Sequence, residues 1–273
     1  MRGGNPRFPH LRNMDHPNGI VLVDKPSGMT SHDVSRVKQR LERSGQSLRT
    51  LDSSVTGVLL VAVNEARKAM PVLMGLDKTY TGTMDLHKKI DRKNLEKICK
   101  SFVGKITQTP PVKSRVVRKP RERIVYSFDI IDQKDRDVRF RVCCQAGTYI
   151  RKLVHDIGLK VGGAHMTQLR RTNVGPFTER EITPLERLSP ENIIPLEKAL
   201  QKIELKRIVI SSNSVGRIRN GRPVHKQDLE NMDRTIKPEE IIGIFNSDGK
   251  ILALGKALLR EDLIAVPNRV FKT

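Results

Sequence analysis

Apolar residues along the chain follow two periodicities. Short continuous or alternating runs predict strands: Gly19-Ile20-Val21-Leu22-Val23-Asp24, Val58-Leu59-Leu60-Val61-Ala62-Val63, Lys78-Thr79-Tyr80-Thr81-Gly82-Thr83-Met84, residues 125–132 and 137–144. Spacings of three and four predict helices: Val34, Val37 and Leu41 behind a cap at Thr30 or Ser31; Ala66, Ala69, Met70 and Leu73 within 64–74; Leu95, Ile98 and Phe102. A further helix runs from Tyr149 to about Val161, burying Ile150, Leu153, Val154 and Ile157, and Gly162-Gly163 ends it. Lys25-Pro26-Ser27-Gly28 reads as a turn, the stretch between the Leu41 helix and the Asp52 turn as a polar loop, and 107–124 as a Pro- and Arg-rich loop. Strands and helices do not alternate strictly, so the pattern predicts an α+β fold on a mixed or antiparallel sheet.

The pattern also divides the chain. Residues 1–17 are Gly-, Pro- and Arg-rich and read as a flexible basic arm. A main domain is expected over 18–203, closed by a Pro-marked helical connector near 185–203. From 204 to 273 the character turns to short strands. Ile241-Ile242-Gly243-Ile244-Phe245, the turn Asn246-Ser247-Asp248-Gly249 and Lys250-Ile251-Leu252-Ala253-Leu254 signal a hairpin, and the tail reads as a small β-barrel.

Charge narrows the function. Lys and Arg total 51 against 30 Asp and Glu, a formal charge of +21 spread along the chain, which favours a polyanionic partner over a plain solvated face. No basic amphipathic helix suggests a membrane surface. The three cysteines, Cys99, Cys143 and Cys144, form neither a CxxC pair nor a disulfide framework, and a reducing compartment is expected. Neither a signal peptide nor a membrane span is legible. Trp is absent and there are only three Tyr, so Tyr80 and Tyr149 inside motif-like segments stand out.

The candidate chemistry centres on Asp52, in Arg49-Thr50-Leu51-Asp52-Ser53-Ser54-Val55-Thr56-Gly57-Val58-Leu59. An acidic residue beside a buried strand is expected to face apolar surroundings, where it needs a cation or a job. A lone Asp before a strand is otherwise a turn or cap residue. Three more segments carry motif-like residues whose default reading is packing or a solvated charge: Lys78-Thr79-Tyr80, Ala146-Gly147-Thr148-Tyr149-Ile150-Arg151-Lys152-Leu153, and Gly163-Ala164-His165-Met166-Thr167-Gln168-Leu169-Arg170-Arg171-Thr172. Arg151 supplies a permanent, bidentate cation for a carboxylate. Lys113, Arg115, Arg118, Lys119, Arg121 and Arg123 make the Pro-rich loop basic enough to clamp RNA.

These segments, together with Lys25-Pro26-Ser27-Gly28-Met29-Thr30-Ser31-His32, resemble in order the motifs of the TruB/dyskerin family of pseudouridine synthases. The resemblance spans roughly residues 17–178 and, more weakly, 205–273. It implies a pseudouridine synthase fold, an isomerase converting uridine to pseudouridine in tRNA or rRNA, and no cofactor or metal. It implies that Asp52 attacks the nucleoside or takes a proton, that Arg151 pairs with Asp52, and that Tyr80 stacks on the flipped uracil. Tyr149 and Leu169 would shape the base pocket, Lys25 would support the site, and Arg170 and Arg171 would bind phosphate. Gly221-Arg222-Pro223 and the barrel-like tail resemble a PUA RNA-binding domain, with Arg222 facing RNA.

That tail and Gln145-Ala146-Gly147-Thr148 resemble archaeal and eukaryotic members most. The resemblance then implies the catalytic subunit of a box H/ACA ribonucleoprotein, with guide RNA, small partner proteins and a kink-turn-binding protein. Its expected place is the cytoplasm for the archaeal form, or the nucleolus for a eukaryotic one. The sequence departs from the family before Asp52: Ser47 stands where the family has His, Arg49 where it has Gly, and Ser53 where it has Pro. These departures motivate an alternative, a catalytically weakened RNA-binding scaffold or tRNA chaperone on the same fold.

Overall fold

A computed structural model describes residues 18–31, 33–34, 45–47 (backbone only), 51–110 and 117–272. The expected positions Val37, Leu41, His32, Arg49, Thr50, Lys113 and Arg115 lie outside them.

The fold is α+β with two sheets. The larger is mixed and eleven-stranded. Its strands are β1 (Gly19–Lys25), β2 (Gly45–Ser47), β3 (Thr56–Val63), β4 (Lys78–Leu86), β5 (Gly104–Gln108), β6 (Arg121–Lys134), β7 (Asp137–Cys144) and β8 (Ala164–Val174), with the two-residue strands β9 (Phe177–Thr178), β10 (Thr183–Pro184) and β11 (Ile194–Pro195). The main path runs β10-β1-β3-β8-β4-β7-β6-β5. β3 and β8 pair in parallel, whereas β8-β4, β4-β7, β7-β6 and β6-β5 are antiparallel.

Burial follows the sequence pattern. β3 is buried almost throughout, as its continuous apolar run requires at the sheet's centre. β7 alternates, with Val138, Phe140 and Val142 inward and Arg139 and Arg141 outward. Two helices cover the inner face: α2 (Arg92–Lys100), capped by Asp91, and α3 (Ile150–Val161). They are preceded by α1 (Met70–Gly75), which a 3-10 stretch from Asn64 to Ala69 leads into, so the helix expected over 64–74 is α-helical only in its second half.

Three local expectations change. The loop before Asp52 contains β2, which pairs with Val61–Val63 of β3. The Pro-rich loop is shorter than 107–124: Thr107 and Gln108 end β5, and Arg121 and Arg123 already lie in β6, paired with Gln108 and Ile106. Residues 164–174, quoted in sequence as a motif without a strand, form the central strand β8.

The tail forms a six-stranded, barrel-like sheet: β12 (Arg207–Ile210), β13 (Val224–His225), β14 (Leu229–Met232), β15 (Ile241–Asn246), β16 (Ile251–Arg260) and β17 (Leu263–Val270). The expected hairpin is β15-β16. Ile208, Ile242, Ile244 and Leu252 fill its own core. Phe245, Ile251, Leu254 and Phe271 instead pack into the core of the larger sheet. Lys68 donates to the Val270 carbonyl (2.7 Å), and the Lys272 N–H donates to Glu65 (3.0 Å), so the barrel is docked by polar as well as apolar contacts. Among the described residues no helix is long and apolar enough to cross a membrane.

Candidate active site

Asp52 opens a tight turn, closed by the Val55 N–H donating to the Asp52 carbonyl (3.1 Å). The neighbouring segment 25–31 holds this turn by its backbone at three points. The Lys25 ammonium donates to the carbonyls of Pro26 (2.9 Å), Ser53 (3.0 Å) and Val55 (2.7 Å). The Gly28 N–H donates to Ser53 O (3.0 Å), and the Ser31 hydroxyl to Leu51 O (3.3 Å). Thr30 caps the turn that follows, accepting from the Asp33 N–H (3.1 Å) while its own N–H donates to the Asp33 carboxylate (2.9 Å). A buried ammonium is tolerated only because all three of its protons are used. Burial lowers the Lys25 pKa, and the Asp52 charge works against that. Lys25 is fully buried, so it supports the Asp52 turn and does not bind substrate directly.

The Asp52 carboxylate itself corrects an expectation. Its side chain is 75 % exposed, not set in apolar surroundings, and its partner Arg151 is 64 % exposed. The two stand 3.9 Å apart, too far for a direct hydrogen bond, and Arg151 donates instead to Ser54 Oγ (3.2 Å). The turn's backbone is held from below while its acid points into solvent.

Beneath the site lies a second pair. Tyr80 and Arg171 face each other across β4 and β8, and the Tyr80 hydroxyl bonds the Arg171 guanidinium. Arg171 is 1 % exposed and donates from Nε to the Val58 carbonyl (2.8 Å). It therefore cannot bind RNA phosphate, which corrects the role expected from sequence; it ties β8 to β3 under the candidate site. Gly57 makes this crossing possible, since at φ 96° it pairs with Arg171, and a Cβ there would lie 2.2 Å from the Arg171 carbonyl oxygen. Burial pushes the Tyr80 hydroxyl above its usual range, and the Arg171 charge opposes this. Tyr80 is only 8 % exposed but lies within electrostatic range of Asp52.

Arg170 is likewise committed. It forms a two-pronged ion pair with Asp24 (3.0 and 3.2 Å) and another with Glu179 (2.9 Å), which corrects the free phosphate-binding role. Tyr149 caps α3, its backbone held by the Gln108 amide: the Tyr149 N–H donates to Gln108 Oε1 (3.0 Å), and Gln108 Nε2 donates to Tyr149 O (3.2 Å). Gln108, buried at the end of β5, carried no sequence signal. Leu169, 8 % exposed, lines a groove with Ser54, Arg151, His155, His165 and Thr167. Arg118, Lys119, Arg121 and Arg222 are exposed, as RNA contacts require. Arg123 is half-buried: its Nη1 donates to Glu122 O (2.7 Å), and its guanidinium lies close over Gly147, which withdraws it from the exposed loop cations.

Comparison with known proteins gives concordant likenesses. Residues 38–150 match the family model described as TruB family pseudouridylate synthase (N terminal domain), and 151–215 match the tRNA pseudouridylate synthase B C-terminal domain. The chain is 38% identical over 265 residues to a probable tRNA pseudouridine synthase B of Methanosarcina barkeri, covering 90% of this chain and 78% of the relative. It is 38% identical over 268 residues to the protein of that name from Methanopyrus kandleri, with the same coverage. Among solved structures, the crystal structure of a Cbf5-Nop10-Gar1 complex aligns with TM-score 0.85 and 34% identity, over 94% of this chain and 84% of that one. An H/ACA RNP bound to a substrate RNA containing 2'-deoxyuridine aligns with TM-score 0.82 and 30% identity, over 97% and 92%.

Proposed function

Because this chain belongs to the TruB family of pseudouridylate synthases and is an RNA pseudouridine synthase, we propose that its targets are uridines of the tRNA T-loop and rRNA uridines selected by a box H/ACA guide RNA. The observation that carries the reading is the Asp52–Arg151 pair, 3.9 Å apart and open to solvent beside the groove along α3 and β8. A target base must leave its stack to reach Asp52. Tyr80, Leu169 and Tyr149 then form the walls around it, and Arg151 keeps the carboxylate's charge balanced as the base enters. Asp52 either bonds to the nucleoside or takes a proton from it. The uracil separates from its ribose, turns and rejoins through carbon 5, releasing the carbon-5 hydrogen to water.

Likeness to Cbf5 within complexes of Nop10, Gar1 and H/ACA RNA supports small ribonucleoprotein proteins as partners, and we propose a kink-turn-binding protein as a further one. We propose a cytoplasmic setting together with this reading.

The test is release of tritium from carbon-5-labelled uridine in two RNAs, a T-loop hairpin and an rRNA fragment, each with and without guide RNA and partner proteins. Release from the hairpin by the chain alone supports direct tRNA modification. Release from the rRNA fragment only with guide and partners supports the guided reading, and release indifferent to the guide contradicts it.

A further inference from the structure

The groove that starts beside Asp52 extends well past it. Its volume is about 470 Å³. One wall is α3, from which Arg151 and His155 project one turn apart; the other is β8, which bulges between its pairings with Thr83 and Met84 and contributes Leu169, Thr167 and His165 to the lining. β8 doubles back on α3, so along the groove Leu169 lies toward the Arg151 end and His165 toward the connection between α3 and β8, the outer end, which His155 also lines. Four residues of strand span about 13 Å, longer than one pyrimidine ring. The outer end has no part in the chemistry described so far.

That end is built rather than incidental. His165 Nδ1 lies 3.3 Å from His87 Nε2 and 3.9 Å from the carboxylate of Asp85, its cross-strand neighbour. His87 is itself fixed, because its N–H donates to Gly163 O (2.9 Å), and its ring fills the space that Gly163 leaves empty. A Cβ on Gly163, which has φ 115°, would lie 2.2 Å from that ring. His165 Nδ1 faces His87 and Asp85, so Nε2 is the ring nitrogen turned away from both. The His155 ring is 62 % and the His165 ring 59 % exposed. Asp156, 3.6 Å from His155, is neutralised by its ion pair with Lys152.

Two imidazoles and a guanidinium along one groove, in an RNA-modifying enzyme, suit the backbone of the strand that carries the target. We propose that the outer end is a phosphate subsite, in which His165, oriented by His87 and Asp85, and His155 bind a backbone phosphate flanking the target uridine. This rests on the synthase reading above and adds a binding site to it.

The test measures equilibrium binding of T-loop hairpins carrying a single uncharged methylphosphonate at each phosphate flanking the target, with isomerisation by the native chain followed in parallel. For one of these positions, the native chain loses about tenfold in affinity. His165→Gln loses a similar factor toward the charged RNA and becomes indifferent to the methylphosphonate. His87→Phe weakens that phosphate dependence without abolishing it. The exposure of His165 makes a folding defect an unsuitable explanation, and a thermal melt checks it. Additive losses, with isomerisation intact, overturn the subsite alone. A native chain that neither binds nor isomerises the hairpin overturns the synthase reading and the subsite with it.

Discussion

The Lys25 ammonium sits 2.7 Å from the carbonyl oxygen of Val55, so a fully buried cation, thirty residues away in sequence, sets the backbone that presents Asp52. Lys25→Met removes this and two further hydrogen bonds, taking the side-chain donor from Pro26 O and Val55 O and leaving Ser53 O with the Gly28 N–H alone. The expected cost is about 2–4 kcal/mol of stability, read from urea midpoints, with turnover reduced more than RNA affinity. Unchanged stability and turnover would mean that the Asp52 turn holds itself.

Arg151 sits at the surface and bears little on folding, since exposed ion pairs contribute about 0–1 kcal/mol. Arg151→Ala is expected to leave the melting temperature in place while lowering turnover at least about a hundredfold. A large loss of stability with turnover preserved would assign Arg151 to scaffolding.

The basic residues separate by burial. Arg118 and Arg121 are exposed, whereas Arg171 is 1 % exposed. Changing Arg118 and Arg121 together to Gln flattens the dependence of RNA affinity on salt by about one to two in slope. Arg171→Ala costs about 3 kcal/mol or more, because it empties a buried site beneath Tyr80, and leaves the slope as it was. The opposite pattern would restore the phosphate-binding role to Arg171.

This contrast shows where sequence is legible. Hydrophobic periodicity found β1, β3, β4, β7 and α3, because each buries one face or both in a single core. It missed β8, whose Gln168-Leu169-Arg170-Arg171 carries charge at the sheet's centre; Arg171 is buried there by bonds to Val58 and Tyr80 that only pairing with β3 and β4 creates. A motif marks that residues matter without saying whether they face RNA or the core. The sequence singles out Asp52 as the centre of the candidate site but not its exposure, since a turn's orientation depends on Lys25, Gly28 and Ser31 far along the chain.

Lys78 predicts a pH dependence of stability. Its side chain is buried, donating to Met74 O (2.6 Å) and Leu76 O, and burial lowers its pKa to about 8 from 10.5. Between these values the unfolded chain binds more protons than the folded one, so stability rises with pH. Burial pushes the thiols of Cys99 and Cys144 up to about 12 from 9.0, so above about pH 9 the folded chain holds more protons and stability falls. Chemical denaturation across pH 7–10 is expected to rise by about 1 kcal/mol toward pH 9 and then decline, with the rise lost in Lys78→Met. A rise that survives in that variant would place its origin elsewhere.

The central claim is that the exposed Asp52 carboxylate performs the isomerisation, and the most direct test compares the native chain with Asp52→Asn in release of tritium from carbon-5-labelled T-loop RNA, at matched RNA binding. The native chain is expected to release tritium, alone or with guide RNA and partner proteins. Asp52→Asn should bind the RNA with nearly unchanged affinity and release none. Equal release by the two proteins would contradict the assignment of this site.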